Sequence, residues 1–176
     1  MSDASSIEPP GPIARYLTDD HARLDALLRR AVAQPSAIDR TAYAEFRAGL
    51  LRHIGMEEKI LLPAAKRARG GAALPVAVTL RLHHGALAAL LVPTPTARIA
   101  DAIRTILVAH NPLEEGPGGA YAACERLAGP EGDALLATLR AAPAVSVSPH
   151  VDGPLVVDAL RRALARAGFD PDAMQL

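Results

Sequence analysis

Two segments of this chain put an imidazole and a carboxylate where a helix ordinarily carries only apolar groups. In RHIGMEEKILLP, residues 52–63, His53 and Glu57 stand four apart. Tyr43, Phe46, Leu50, His53, Glu57 and Ile60 step by three and four, so they share one helical face. VAHNPLEEG, residues 108–116, repeats the arrangement. Ile99, Ile103, Ile106 and His110 form its stripe, with Glu114 one turn on. Positions i and i+4 of a helix lie about 40° apart around the axis, one turn along. Each His and its Glu can therefore reach toward one point beside their helix. A fold built on these stripes must bury helical faces that are partly charged.

The rest of the chain reads as further amphipathic helices. A first helix starts near TDDHARLDALLRRAVAQP, with Thr18 as its expected cap and Pro35 as its expected end. Its inner stripe is Leu17, His21, Leu24, Leu28 and Ala31. The second spans about Asp39 to Arg69, is expected to bend at Pro63, and stops at Gly70 and Gly71. The third, near Leu74 to Leu91, carries LRLHHGALAALL and ends at Pro93. The fourth begins near Thr96 and is terminated by GPGG at 116–119. Half of the 176 residues are hydrophobic, but there are only three Tyr, two Phe and no Trp. Ala and Leu must do most of the packing, which favours an all-α chain.

Four such helices joined by short connections form an up-down-up-down four-helix bundle. The expected organisation is a bundle over residues 13–128, which includes a short helical piece at 120–128. A C-terminal helical extension over 129–176 then packs on the bundle. It holds helices near 131–141 and 154–167 around the loop APAVSVSPHVDGP. Residues 1–12 are small, polar and proline-rich and read as a loose tail.

Basic and acidic residues total 19 each, for a formal net charge of zero, and no basic arm stands out. That argues against nucleic acid as a partner. No apolar run reaches the roughly 18 residues needed to span a bilayer. The single cysteine, Cys124, excludes an internal disulfide framework and a Cys-rich zinc site, and reads as an inert core thiol. With an N-terminus lacking the apolar core of a signal peptide, these features lead us to expect a cytoplasmic protein without membrane attachment.

The second and fourth helices sit diagonally in such a bundle, so the two His-x-x-x-Glu pairs face each other across the core. Helix 1 adds His21, and helix 3 adds His83 or His84. An unpaired ionised carboxylate in an apolar core carries a penalty of several kcal/mol. A divalent cation reverses the sign of that term by accepting neutral imidazoles and ionised carboxylates together. Four His and two Glu suit two ions, with each carboxylate bridging both. Nitrogen and oxygen donors without thiolate favour iron, with zinc or manganese possible. Imidazoles argue against calcium and magnesium.

DDHARLDALL, HIGMEEKILLP, LRLHHGALAALL and AHNPLEEG, in this order and spacing, resemble the hemerythrin-like, or HHE cation-binding, family. The resemblance covers roughly residues 13–128. It implies metal ligands at His21, His53, Glu57, His84, His110 and Glu114. It further implies two iron ions with an oxo or hydroxo bridge. Family members serve variously as dioxygen carriers, as redox or iron sensors, or in nitric-oxide-related repair of iron–sulfur proteins.

Two departures stand out. Original hemerythrins carry five His, two of them a turn apart on the third helix. Here His83 and His84 are adjacent and diverge by about 100°, which places the chain nearer the four-His members. Pro112 also stands between His110 and Glu114. It removes a backbone bond to Val108 and disfavours helical geometry at Asn111, so Glu114 is expected to be displaced or mobile.

The expected function is binding or sensing of a small diatomic or oxygen species: dioxygen, peroxide or nitric oxide. Turnover of such a ligand is the less favoured expectation, because no acid–base group beyond the ligands is assigned. An iron-dependent repair role and a metal-stabilised adaptor are the alternatives. Glu58 and Glu115 read as a solvated face, with support of a ligand imidazole as the second option. Tyr16, Tyr43 and Tyr121 read as packing residues. His150, in a proline-rich loop, reads as a non-ligand.

Overall fold

The computed structural model describes residues 9–34 and 37–176. Residues 1–8 of the expected tail, and Pro35, lie outside the described residues. Helix α1 (Pro12–Ala31) begins well before Thr18, which is therefore not its cap. Pro12 occupies the first turn, where a missing N–H costs nothing. The Glu125 carboxylate, brought in from a later helix, accepts from the backbone N–H groups of Ile13 and Ala14 at 2.9 and 3.0 Å.

Helix α2 (Arg40–Met56), a π-helical turn (Glu57–Leu61) and helix α3 (Leu62–Ala68) form one continuous rod. Asp39 caps it by accepting from Thr41 and Ala42, both at 3.0 Å. The expected bend at Pro63 takes the form of that widened turn. Pro63 has no N–H to offer Lys59, and its ring crowds the Lys59 carbonyl. The ladder instead slips by one residue, and the Leu62 N–H reaches back to the Glu57 carbonyl. Gly70 and Gly71 adopt positive φ of 64° and 97° and close the rod.

Helix α4 (Ala77–Leu90) and helix α5 (Ala97–Glu115) complete the set, with Thr96 capping α5 through the Ile99 N–H at 3.2 Å. The expected displacement of Glu114 does not occur. α5 continues through Pro112 to Glu115, and Glu114 is buried. Val108, whose carbonyl loses its partner, lies on the solvent side of the helix at 77% exposure, where an unpaired carbonyl is least costly. Three shorter helices follow: α6 (Ala120–Ala128), α7 (Gly132–Arg140) and α8 (Pro154–Arg166). The fold is all-α, with no strand among the described residues.

Successive rods run antiparallel. The Asp39 N–H donates to the Ala31 carbonyl, which ties the start of α2 to the end of α1. The core divides into two apolar clusters. One joins Leu24, Leu28, Phe46, Leu50, Leu87 and Ile106 and takes in Leu160 and Leu164 of α8. The other joins Leu17, Met56, Leu61, Leu80 and Tyr121 and takes in Leu136 and Leu139 of α7. His21, His53, His84 and His110 fall between them, each flanked along its own helix by an apolar residue of either cluster: Leu17 and Leu24, Leu50 and Met56, Leu80 and Leu87, Ile106 and Leu113. The bundle is thus two dry halves around a polar belt. The loop before α8 is strapped to α2 by Arg47, which donates to the Ser148 carbonyl at 2.6 Å. Arg52 donates to the Ala142 carbonyl at 3.0 Å.

Candidate metal centre

All six of the expected residues converge on the belt. His21, His53, Glu57 and Glu114 present one group of donor atoms within 4.8 Å of one another, and Glu57, His84, His110 and Glu114 present a second. The two carboxylates belong to both groups. Glu57 turns Oε1 toward His53 Nε2 at 3.3 Å and Oε2 toward His84 Nε2 at 3.0 Å. Glu114 turns Oε2 toward His21 Nε2 at 3.5 Å and Oε1 toward His110 Nε2 at 3.2 Å. Each glutamate therefore has one oxygen per group, the disposition of a bridging carboxylate.

The helix-3 alternative resolves in the geometry. His84 is in the cluster and His83 is not. The His83 ring lies 5.2 Å from the Phe169 ring and 5.5 Å from that of His110, and its buried Nδ1 has no partner. Adjacent helical residues diverge too far for both rings to enter. His150 lies in its loop with Nδ1 3.4 Å from the Val92 carbonyl, outside both groups.

Glu58 and Glu115 depart from the expectation of a solvated face. Glu58 Oε1 lies 2.8 Å from His84 Nδ1, and Glu115 bonds His21 Nδ1. Asp20, the chain neighbour of His21, holds His53 Nδ1 at 2.8 Å. Each carboxylate is the chain neighbour of a converging residue, yet serves an imidazole on a different helix. The π turn lets Glu57 and Glu58 face α4 together. Imidazoles that bind metals through Nε2 commonly give their other nitrogen to a carboxylate in this way, which fixes ring and tautomer.

Tyr121, expected as packing, is fully buried with its hydroxyl inside the first group. It donates to Glu57 Oε1 at 2.5 Å, and Glu114 Oε2 lies 3.1 Å away. Its oxygen is 3.2 Å from Nε2 of both His21 and His53. The tight turn GPGG puts it there. A Cβ on Gly119 would fall 2.5 Å from the Glu114 carbonyl oxygen, so only glycine lets α6 fold back so closely on the end of α5. Tyr43 and Tyr16 keep packing roles. Cys124 is buried, and burial with Glu57 and Glu114 nearby pushes its thiol up to about 12, which leaves it inert.

The electrostatics favour positive charge at the belt. Burial works against a charged His53, but Glu57 and Asp20 outweigh it and push the imidazole up to about 10. Burial likewise opposes a charged His84, and Glu114, Glu57 and Glu58 push it up to about 10. Burial would raise Glu57, yet His53 and His84 hold it well below the usual carboxylate range. Asp20 is held down at about 2 against its burial, through His53 and Arg23. Protons on imidazoles supply the countercharge that cations would otherwise supply.

The residues fit metal binding. Glu57 Oε2 and His84 Nε2 lie close together, but neither makes an aligned hydrogen bond, and both are fully buried. Two such inward-facing orphans are what a shared cation satisfies. A cleft of about 680 Å³ between α1 and α5 reaches His21 from outside, past Leu24, Leu50, Leu107, Asn111 and Pro112. No helix among the described residues is long and apolar enough to cross a membrane.

No curated protein and no solved structure matches the chain. Residues 13–117, which are more than half of the chain and include all six converging residues, match the hemerythrin HHE cation binding domain. The chain belongs to that family.

Proposed function

We propose that the protein holds two iron ions in the polar belt and binds or senses a small diatomic or oxygen species there: dioxygen, peroxide or nitric oxide. The observation that supports this reading is the pair of four-donor groups sharing Glu57 and Glu114. His21 and His53 would hold one ion, His84 and His110 the other, and the two glutamates both. Iron in a mixed imidazole–carboxylate set supplies one-electron chemistry and open coordination positions.

The chain's own residues do the rest. Asp20, Glu58 and Glu115 orient three of the four imidazoles through Nδ1. The apolar clusters on either side keep bulk water out and lower the local dielectric. Leu24, Leu50, Leu107 and Val108 give the cleft beside His21 an apolar wall, with Asp25, Arg29 and Arg104 also lining it, and a small ligand can reach the belt along that wall. The carboxylates nearest the imidazoles are taken up in holding them, so binding or sensing is favoured over turnover. The neutral net charge and the single buried thiol support a cytoplasmic protein that acts without nucleic acid or a membrane.

Metal analysis of anaerobically purified protein, with ultraviolet–visible spectra before and after air, tests the reading. Two irons per chain and a near-ultraviolet band that grows on oxidation are expected. A colourless protein with two zinc ions would overturn the redox role.

A further inference from the structure

Tyr121 is hard to explain as a packing residue with a tolerated hydroxyl. One O–H donates one hydrogen bond, and Glu57 already receives it. Yet three more donor atoms of the same group, Glu114 Oε2 and Nε2 of His21 and of His53, stand 3.1–3.2 Å from that oxygen. Two atoms bound at right angles to one ion, with bonds of about 2.1 Å, lie about 3.0 Å apart. The phenol oxygen keeps roughly that distance from three members of the first group and sits closer, at 2.5 Å, to Glu57 Oε1, which now receives its proton. It is too far from those three to stand where an ion would, and it is placed as one more vertex around the same point.

We propose that Tyr121 is a fifth protein donor to the ion held by His21, His53, Glu57 and Glu114. The proposal rests on the two-iron reading and adds to it an asymmetry. Among the described residues no tyrosine hydroxyl bonds His84 or His110, the imidazoles of the second group. On coordination the phenol O–H bond breaks, an oxygen–metal bond forms, and the proton passes to the buffer. The oxygen keeps both electrons of the broken bond, and no redox change is needed. The residue comes from α6, outside the four long helices, and the Gly119 turn delivers it seven residues after Glu114.

The closing experiment compares ferric, two-iron protein with its Tyr121→Phe variant. The wild type should show a visible phenolate-to-iron charge-transfer band and resonance-enhanced ring modes that shift on ring deuteration of tyrosine. Tyr121→Phe should lose both while circular dichroism stays unchanged, and Tyr43→Phe and Tyr16→Phe should keep both. A wild type that carries two ferric ions without that band overturns the proposal and leaves the two-iron reading standing. So does a Tyr121→Phe variant that retains the band. A wild type that binds no iron overturns both. Gallium loading of metal-free protein is a second measurement that does not depend on the variant folding. A tyrosinate difference absorption on loading supports the proposal, and its absence in gallium-filled protein contradicts it.

Discussion

Asp20, Glu58 and Glu115 decide how the imidazoles at the belt are held, although none of them belongs to either donor group. Each takes the Nδ1 side of a ring whose Nε2 faces inward: Asp20 on His53, Glu58 on His84, Glu115 on His21. His110 is the exception, with a buried Nδ1 that has no partner. Asp20→Asn and Glu58→Gln keep size and burial but remove the charge that makes the ring a stronger donor. Each should weaken metal binding by roughly 10–100-fold, read by competition with a chelator of known affinity. An unchanged affinity would mean that these carboxylates are only solvated neighbours. The six expected residues were legible because helical spacing puts them on apolar stripes, and family resemblance selected His84 over His83. Support of an imidazole was only the second option for Glu58 and Glu115, and the roles of Asp20 and Tyr121 were not legible. Their partners lie on other helices, and no period within one helix encodes which rod will face them.

Among the elements, the two proline-containing segments resolve in opposite ways. Pro63 is absorbed by a π-helical turn at Glu57–Leu61, while Pro112 sits in a helix that does not yield. The difference lies in what surrounds them. Around Pro63 the widened turn lets Glu57 and Glu58 both address α4. At Pro112, the burial of His110 and Glu114, two residues to either side, fixes the helix, and Val108 lies on its exposed face. Stripe periodicity told where the long helices run, and the start of the second near Asp39 and the glycine stop at 70–71 were readable. The start of α1 was not, because its cap comes from Glu125, far along the chain. The turn between α5 and α6 carries the more exacting demand. In Gly119→Ala the new methyl carbon must move the Glu114 backbone or push α6 away. We expect a loss of about 1–3 kcal/mol in denaturant unfolding, as for other overpacked sites. The shift should also draw Tyr121 off the belt, which the tyrosinate signal would report. A variant of undiminished stability would show that the turn has slack its geometry does not suggest.

As a whole, the molecule is two apolar halves that meet across a layer of charge, and its stability should depend on what neutralises that layer. Without metal, His53 and His84 carry protons to pKa values of about 10, against 6.5 for the free side chain. Groups raised on folding stabilise the folded state fully below the unfolded value and lose that contribution as pH climbs toward the folded one. The loss therefore falls between pH 6.5 and about 10. On the acid side Asp20, lowered to about 2 from 3.8, contributes above 3.8 and loses its share as pH falls toward 2. Chelator-treated protein should be most stable between these limits and should melt at a distinctly lower temperature at pH 9 than at pH 6. In metal-loaded protein the same imidazoles are neutral donors, so their protons no longer count. Its melting temperature should stay level across that span, and the gap between loaded and metal-free protein should widen with pH. Thermal melts of both forms at pH 6 and pH 9 make the comparison. A metal-free protein equally stable at both would mean that the belt is balanced by something other than charged imidazoles.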